Sequence, residues 1–344
     1  MNARVPTSDA AFDVLTIGRV GVARYSLQSG THLQDVETFG KFLGGSPTNV
    51  VVAAARHGWR SAVITRTGRD PFGTFIHQAL RDLGVDDRFV SGVGGLPTPI
   101  AFGEVFPPDD LPLYFYRYPV APDLYVQAAE IDLEAVGSAP IYWSTVTGLS
   151  AGPSRSTHFA AWDTRGRAPL TVLNLDYRPV FWDDPGEAHA QVDRALSRVT
   201  IAVGSSAECQ VAVGETDPDR AAAALLDKGI EMAVVKQGPK GALARTRDER
   251  IEVAAFPIEV VNGLGAGDAF GGALCHGLVG WPLERVLRFA DVAGRSLPLG
   301  WSARPPCRPT ARSKSVWAIS RHPIMGIRPR TTWPPNWCME VRHE

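Results

Sequence analysis

The stretch VNGLGAGDAFGGAL sets an aspartate, Asp268, directly behind three glycines, Gly263, Gly265 and Gly267. FPIEVV before it reads as a strand and DAFGGALCHGL after it as a helix, which makes NGLGAG the loop between them. A helix N-terminus offers unpaired amides and the positive end of a dipole, and glycines let an anion come close to both. A carboxylate in that first turn is costly beside a phosphate unless it works, for instance by taking a proton from an attacking hydroxyl. Alone, the loop admits three readings: a phosphate cradle with its base, an ordinary strand-to-helix turn, or a dinucleotide-binding loop. The last fits least, because that fingerprint usually sits in the first βα unit and this loop lies late in the chain. A second polar cluster, FLGGSPTNVVVAAARHG, puts Gly44, Gly45 and Asn49 where a strand or lid edge meets a helix.

The elements that must position these residues alternate. DVLTIG is a short β-rich run ending in glycine, and SPTNVVVAAARHG has the capping residues, alanine-rich middle and terminal glycine of a helix. SAVITRTG reads as a buried strand, and DPFGTFIHQALRDLG as a helix with apolar spacings of three and four. IYWSTV, TVLNLDY, TIAVGS, AAAALLDKG and MAVVKQG continue the rhythm. The pattern predicts a mostly parallel sheet with helices on both faces. TPIAFGEVFPPDDLPLYFYRYP, residues 98–119, breaks it with period-two alternation around a Pro-Pro-Asp-Asp turn, which predicts a projecting hairpin. With residues 31–43 it is expected to form a small β lid over a pocket.

Composition narrows the class. A net charge of −1 argues against a polyanionic partner for the whole molecule, so neither nucleic acid nor a membrane surface is expected. The start, MNARVPTSDAAF, has no apolar signal region, and VVVAAA is far too short to cross a bilayer. Cys209, Cys275, Cys307 and Cys338 have no metal-type spacing. A reduced, cytoplasmic protein is the expectation.

Together, GGSPTNVVVAAARHG, the 98–119 hairpin, LNLDYRPVFW, AVVKQGPKGAL and the GAGD loop resemble the signature regions of the ribokinase-like (PfkB) sugar kinases, from about Phe12 to Gly294. The likeness is strongest to the inositol-catabolism branch, which phosphorylates 5-dehydro-2-deoxy-D-gluconate. The resemblance implies a three-layer α/β/α sandwich with a small β lid, Mg-ATP as phosphoryl donor and a sugar acid as acceptor. K+ is a further expected ion and a homodimer the expected assembly. It makes Asp268 the catalytic base, and the backbone of Gly265, Ala266 and Gly267 an anion hole. Gly44, Gly45 and Asn49 become acceptor-binding residues. Arg178 falls near the acceptor, where a guanidinium suits a carboxylate, though a surface ion pair is the plainer role. Lys236 and Gly238 fall beside the nucleotide, with a solvated strand end as the alternative for Lys236. Glu208 falls where the family organises Mg2+ through water.

Four departures stand against that pattern. Ser205 stands where the Asn-x-x-Glu motif has asparagine, and Ala23, in RVGVARYS, where the branch has aspartate to hold acceptor hydroxyls. Asp291 stands where the branch has asparagine near the adenine pocket; Asn262 is the milder case of a branch-typical residue. The fourth departure is residues 295–344, which carry +7 while the preceding 294 carry −8. This segment holds eight of the prolines and four of the nine tryptophans, with no helical or strand periodicity. A basic aromatic arm is one reading. The other is a segment translated in a shifted frame: read one base out of register, permitted codons for 295–315 spell VVASRLVCATAMPTDGEVEE, which resembles the family's C-terminal end. The expectation is therefore a kinase domain over 1–294 and an aberrant tail over 295–344. The rival to an active kinase is an impaired member that binds without turnover, or a kinase for another sugar.

Overall fold

In the computed structural model, the described residues are 10–106, 110–257 and 265–296. The expected strand at 256–261, Gly263, Asn262 and residues 297–344 of the tail lie wholly or largely outside them.

The first strand, β1 (Val14–Ile17), is central, and the chain leaves it at once for two lid strands, β2 (Gly21–Ser26) and β3 (Phe39–Gly44). Helix α1 (Ser46–Arg56), strand β4 (Ser61–Gly68), helix α2 (Pro71–Asp82) and strand β5 (Val90–Val93) return it to the main sheet. Two more lid strands follow, β6 (Ile100–Gly103) and β7 (Leu113–Tyr116). Alternation then resumes with α3 (Leu133–Ser138), β8 (Ile141–Thr145), α4 (Ser154–Arg165), β9 (Thr171–Asn174), α5 (Pro185–Leu196), β10 (Ile201–Ser205), α6 (Ser206–Val213), α7 (Pro218–Asp227) and β11 (Met232–Lys236). The hairpin β12 (Ala242–Arg245) and β13 (Arg250–Val253) precedes α8 (Ala266–Leu278) and α9 (Leu283–Ser296).

The main sheet has nine strands in the order β13-β12-β11-β10-β9-β8-β1-β4-β5, parallel except at the β12 and β13 edge. Its strands are buried on both faces, and alternate residues enter two separate cores. Leu15, Tyr142, Leu173 and Ala202 pack against α3 to α7, whereas Val14, Ile141, Val172 and Ile201 pack against α1, α2, α8 and α9. That is the expected three-layer α/β/α sandwich. Three helices start on an Asp-Pro pair: Asp70, Asp184 and Asp217 each accept a hydrogen bond from the third helical amide, while proline fills the first position.

The lid is a four-stranded sheet, β3-β2-β6-β7. Residues 98–119 form its hairpin as expected, but the other segment needs correction: 31–38 is a loop with a short 3-10 turn at Leu33–Asp35. The central strand β2 was not anticipated. Both faces of GVARYS are covered, Val22 by the main core and Ala23 and Tyr25 by the lid interior, so its Arg24 and Ser26 mark no open solvent face. Cation–π contacts tie lid to body, Lys41 Nζ standing 4.1 Å from the centre of the Phe75 ring. The last helix passes Gly294 and includes Arg295, whose guanidinium donates to the Gly238 carbonyl at 2.8 Å.

Candidate active site

Two helix N-termini meet at the C-terminal end of the main sheet. Helix α1 opens on Gly45, at φ +109°, where a Cβ would stand 2.2 Å from the Arg19 carbonyl, so only glycine fits. Helix α8 opens on Gly265, in the left-handed region at φ +76°. Their first turns exchange hydrogen bonds: Ser46 Oγ donates to Asp268 Oδ1 at 2.6 Å, and Asn49 Nδ2 to Asp268 Oδ2 at 2.8 Å. Behind them Asn174 Nδ2 donates to Ser46 Oγ at 3.3 Å. Burial pushes the Asp268 carboxyl above its ordinary pKa, opposed by these two hydrogen bonds. A carboxylate so held is fixed in direction yet more basic than a solvated one, as a general base requires.

Asp268 lines a cavity of about 310 Å³ between the lid and the strand ends, room for one sugar-sized acceptor. Gly44, Gly45, Asn49, Arg178, Glu208, Lys236, Gly265 and Gly267 also line it. Two residues singled out from the sequence do not. Ala266 faces away, its carbonyl against Gly294, and Gly238 lies in the turn after β11. The main-chain amides of Ala266 and Gly267 still precede any intrahelical acceptor. Lys236 Nζ comes within 3.3 Å of where a Gly267 Cβ would stand and 3.9 Å from Glu208 Oε2, so an ammonium stands over the glycine turn. Ser205 caps α6 in a reciprocal box: its amide donates to Glu208 Oε2 at 2.6 Å, and its Oγ accepts from the Glu208 amide at 3.3 Å. Serine in place of asparagine is thereby a helix cap, and it occupies one oxygen of Glu208. Asp291 accepts from the Phe256 amide at 2.7 Å and from Arg295 Nε at 3.3 Å, pinning α9 to the chain beyond β13.

Opposite Asp268 stands a guanidinium cluster that sequence reasoning mostly missed. Arg178 Nε donates to Asp176 Oδ1 at 3.1 Å, yet its side chain is 42% exposed and lines the cavity. The ion pair and the cavity role therefore coexist. Arg19 is buried between the Phe115 and Phe181 rings, with Nη2 3.5 Å from Asp176 Oδ2. Its Nε has no partner among the described residues. Arg117 pairs with buried Asp123 at 2.8 Å and lies over Phe181. Burial lowers the pKa of Arg19, partly offset by Asp176, while Asp176 raises that of Arg178. Asp176 and Asp123 pair with the three guanidiniums, and the Glu208 and Asp268 charges also act on Arg178. Asn174 and Asp176 lay in the LNLDYRPVFW stretch and Ser46 in GGSP, so neighbouring motif residues pointed to them; nothing local singled out Arg19 or Arg117.

A helix-borne carboxylate beside helix-terminal amides, under a lid on a doubly wound sheet, fits a phosphotransferase for small hydroxylated acceptors. The chain belongs to the pfkB family of carbohydrate kinases, whose model matches residues 11–296. It is a sugar kinase. A 5-dehydro-2-deoxygluconokinase from Geobacillus thermodenitrificans is 29% identical over 289 residues, covering 82% of this chain and 86% of that one. A putative ribokinase II from E. coli, solved with ATP and Mg2+, is 25% identical with a TM-score of 0.75, covering 90% of this chain and 99% of that one. A fructokinase from Vibrio cholerae, solved with fructose, ADP and potassium, is 27% identical with a TM-score of 0.72, covering 84% and 93%.

Proposed function

We propose that the protein transfers the γ-phosphoryl group of ATP to the primary hydroxyl of a sugar acid, 5-dehydro-2-deoxy-D-gluconate, giving its 6-phosphate in inositol catabolism. The observation that carries the acid specificity is the guanidinium cluster: Arg19, Arg117 and Arg178 line the same cavity as Asp268, and the Arg178 side chain is 42% exposed there. A neutral sugar offers that guanidinium no charged, bidentate partner, whereas a carboxylate does. The similarity to the Geobacillus enzyme supports the same acceptor.

In this reading Asp268 takes the proton of the acceptor hydroxyl as the O–P bond forms, and Ser46 and Asn49 keep its carboxylate aimed. The amides of Gly265, Ala266 and Gly267 receive the transferring phosphoryl oxygens. Gly44, Gly45 and Asn49 contact the acceptor, and Lys236, with Gly238 behind it, borders the nucleotide. The described residues hold no group of three or more His, Cys, Asp or Glu side chains fit to cage a metal. Magnesium fits nonetheless, because it keeps most of its waters and arrives on the phosphates. Glu208, with one oxygen committed to the cap, would orient a water of that ion, and when bound the ion neutralises phosphate charge. The lid excludes water from the transfer. K+, a homodimer and a cytoplasmic location belong to the same proposal, and no described helix is long and apolar enough to cross a membrane.

Residues 1–294 constitute the kinase domain in this proposal, and 295–344 a segment from a shifted frame. Sequencing the gene's 3′ end tests the latter; an alternative frame without coding potential there refutes it. The activity is tested by ADP release with Mg-ATP and K+ on 5-dehydro-2-deoxygluconate, ribose, fructose and 2-keto-3-deoxygluconate. Turnover confined to the first supports the proposal, and preference for a neutral sugar overturns it. Ala23, lacking the expected carboxylate, favours a second reading in which another sugar acid is preferred, and 2-keto-3-deoxygluconate is the arm that detects it.

A further inference from the structure

The body side of the cavity is rich in charge, whereas the four lid strands line it almost wholly with apolar residues, Arg117 following directly after β7. Of the residues that β2, β3, β6 and β7 contribute to the lining, Tyr25 alone carries a polar side-chain atom. Ala23, Gly44 and Ala101 leave the middle of the lid floor smooth. An acceptor held only from the body would press its remaining hydroxyls against this floor, and a desolvated hydroxyl without a partner weakens binding.

Tyr25 lies two residues beyond Ala23 on β2, hence on the same face of the strand. Both are buried, at 2% and 9% exposure. The tyrosine ring is held on two sides. It stacks on Phe42 with centroids 5.5 Å apart and fills the gap above Gly103, where a Cβ would stand 2.7 Å from Tyr25 Cδ1. No described residue shares a hydrogen bond with its hydroxyl. Burial and the nearby Asp268 charge push the phenol pKa up to about 12, against a lowering by Arg19, so it is a protonated donor at neutral pH. The phenol thus stands in the field of both the base and the guanidinium cluster, on a ring that cannot swing away.

We propose that Tyr25 is a specificity residue for the acceptor, its phenol oxygen hydrogen-bonding an acceptor hydroxyl from the lid side and taking the place of the carboxylate missing at Ala23. The proposal rests on the sugar-acid kinase reading of the cavity. It assigns to this chain a recognition contact one pleat further along the lid strand than the position the motif pattern points to. The shift matches the room left at Gly103, where a larger residue would exclude the ring, and at Gly40, where a Cβ would displace the Phe42 ring on which Tyr25 stacks.

Tyr25→Phe removes one oxygen and leaves the ring contacts intact, so the test compares it with the wild-type full chain. With 5-dehydro-2-deoxygluconate as acceptor, KM for the acceptor should rise about tenfold while kcat and KM for ATP stay within about twofold. A merely structural role would instead lower the melting temperature and leave the acceptor KM in place. Introducing Ala23→Asp into the Tyr25→Phe background should bring the acceptor KM back toward the wild-type value. Equilibrium titration of the same acceptor by calorimetry should show the same loss and recovery, which covers a chain of low turnover. Wild-type turnover or binding with an unchanged acceptor KM or Kd in Tyr25→Phe overturns the role of Tyr25 alone. Neither turnover nor binding of any sugar acid by the wild type overturns the kinase reading, and this proposal with it.

Discussion

Replacing Asp268 by asparagine separates catalysis from folding in a way the local geometry makes quantitative. The amide is isosteric, and both contacts survive: Ser46 Oγ can turn to accept from the new NH2, while Asn49 Nδ2 still donates to the remaining carbonyl oxygen. What is lost is the proton acceptor. The other two carboxylates of the lining are already engaged, Asp176 by Arg19, Arg178 and Thr147, and Glu208 by the Ser205 amide and Lys236. General-base contributions span about 10²–10⁴-fold, and the absence of a substitute puts this one at the upper end. We expect kcat to fall by about 10³–10⁴-fold, or about 4–5.5 kcal/mol of barrier, with ATP binding retained. Stability should move the other way. Burial holds the Asp268 pKa above its ordinary 3.8, so the native state binds more protons than the unfolded one between that value and the raised one. Its contribution to stability is therefore present at low pH and lost as pH rises through the folded pKa. Asp268→Asn should be more stable than wild type at pH 7.5, and the gap should close as pH falls toward 4. ADP release and urea melts at several pH values read both. Wild-type kcat within about tenfold, or a variant that is less stable at pH 7.5 with no closing gap, would refute the assignment of a desolvated base.

Other outcomes follow from the same contacts. Arg178→Met should raise KM for a carboxylate acceptor by about 10–100-fold while leaving a neutral sugar unaffected, which a ratio of kcat/KM values measures. Gly272→Ala places a Cβ 2.2 Å from the Ala53 Cβ, driving α8 from α1; overpacking of about 1–3 kcal/mol outweighs about 1 kcal/mol of helix propensity, so both Tm and kcat should fall. Gly137→Ala, whose nearest neighbour is Thr164 Cγ2 at 3.8 Å, should leave Tm equal or higher and serves as the control. Burial lowers the His57 pKa from 6.5 to about 4, so its protonation destabilises the fold, and stability should climb with pH across that interval. His57→Gln should flatten that climb in thermal melts taken between pH 4 and 7.

The sequence was most legible where one physical demand acted on a segment. TIAVGS and MAVVKQG are short apolar runs because their strands are covered on both faces, and Asp-Pro pairs announce helices because cap and first-turn geometry require little else. The 98–119 hairpin was readable from alternation, but β2 was not: Val22 packs in the main core and Ala23 and Tyr25 in the lid, so apolar residues fall on both of its faces. Arg178, Asn49 and Asp268 could be named because they sit in motifs. Arg19 and Arg117 could not, since their role comes from Asp176, Asp123 and two phenylalanine rings that only the fold brings near. Ser205 shows the opposite limit: read as a weakened metal position, it proves to cap a helix, a job serine does well.

The glycines around Asp268 fall into two pairs that differ in what surrounds them. Gly265 takes the left-handed conformation that starts the helix, and Gly267 leaves the space under the Lys236 ammonium, so the first pair keeps the backbone accessible from the cavity. One turn on, Gly271 lies where a Cβ would stand 2.9 Å from the Trp143 ring, and Gly272 lies against Ala53. That second pair draws α8 onto β8 and α1, and α1 carries Ser46 and Asn49 on its first turn. The hydrogen bonds that aim the carboxylate therefore depend on a helix separation set several residues away by missing side chains. Small residues in the first two turns of this helix meet a single requirement: the carboxylate lies at the helix terminus, and two helices approach closely enough to hold it there.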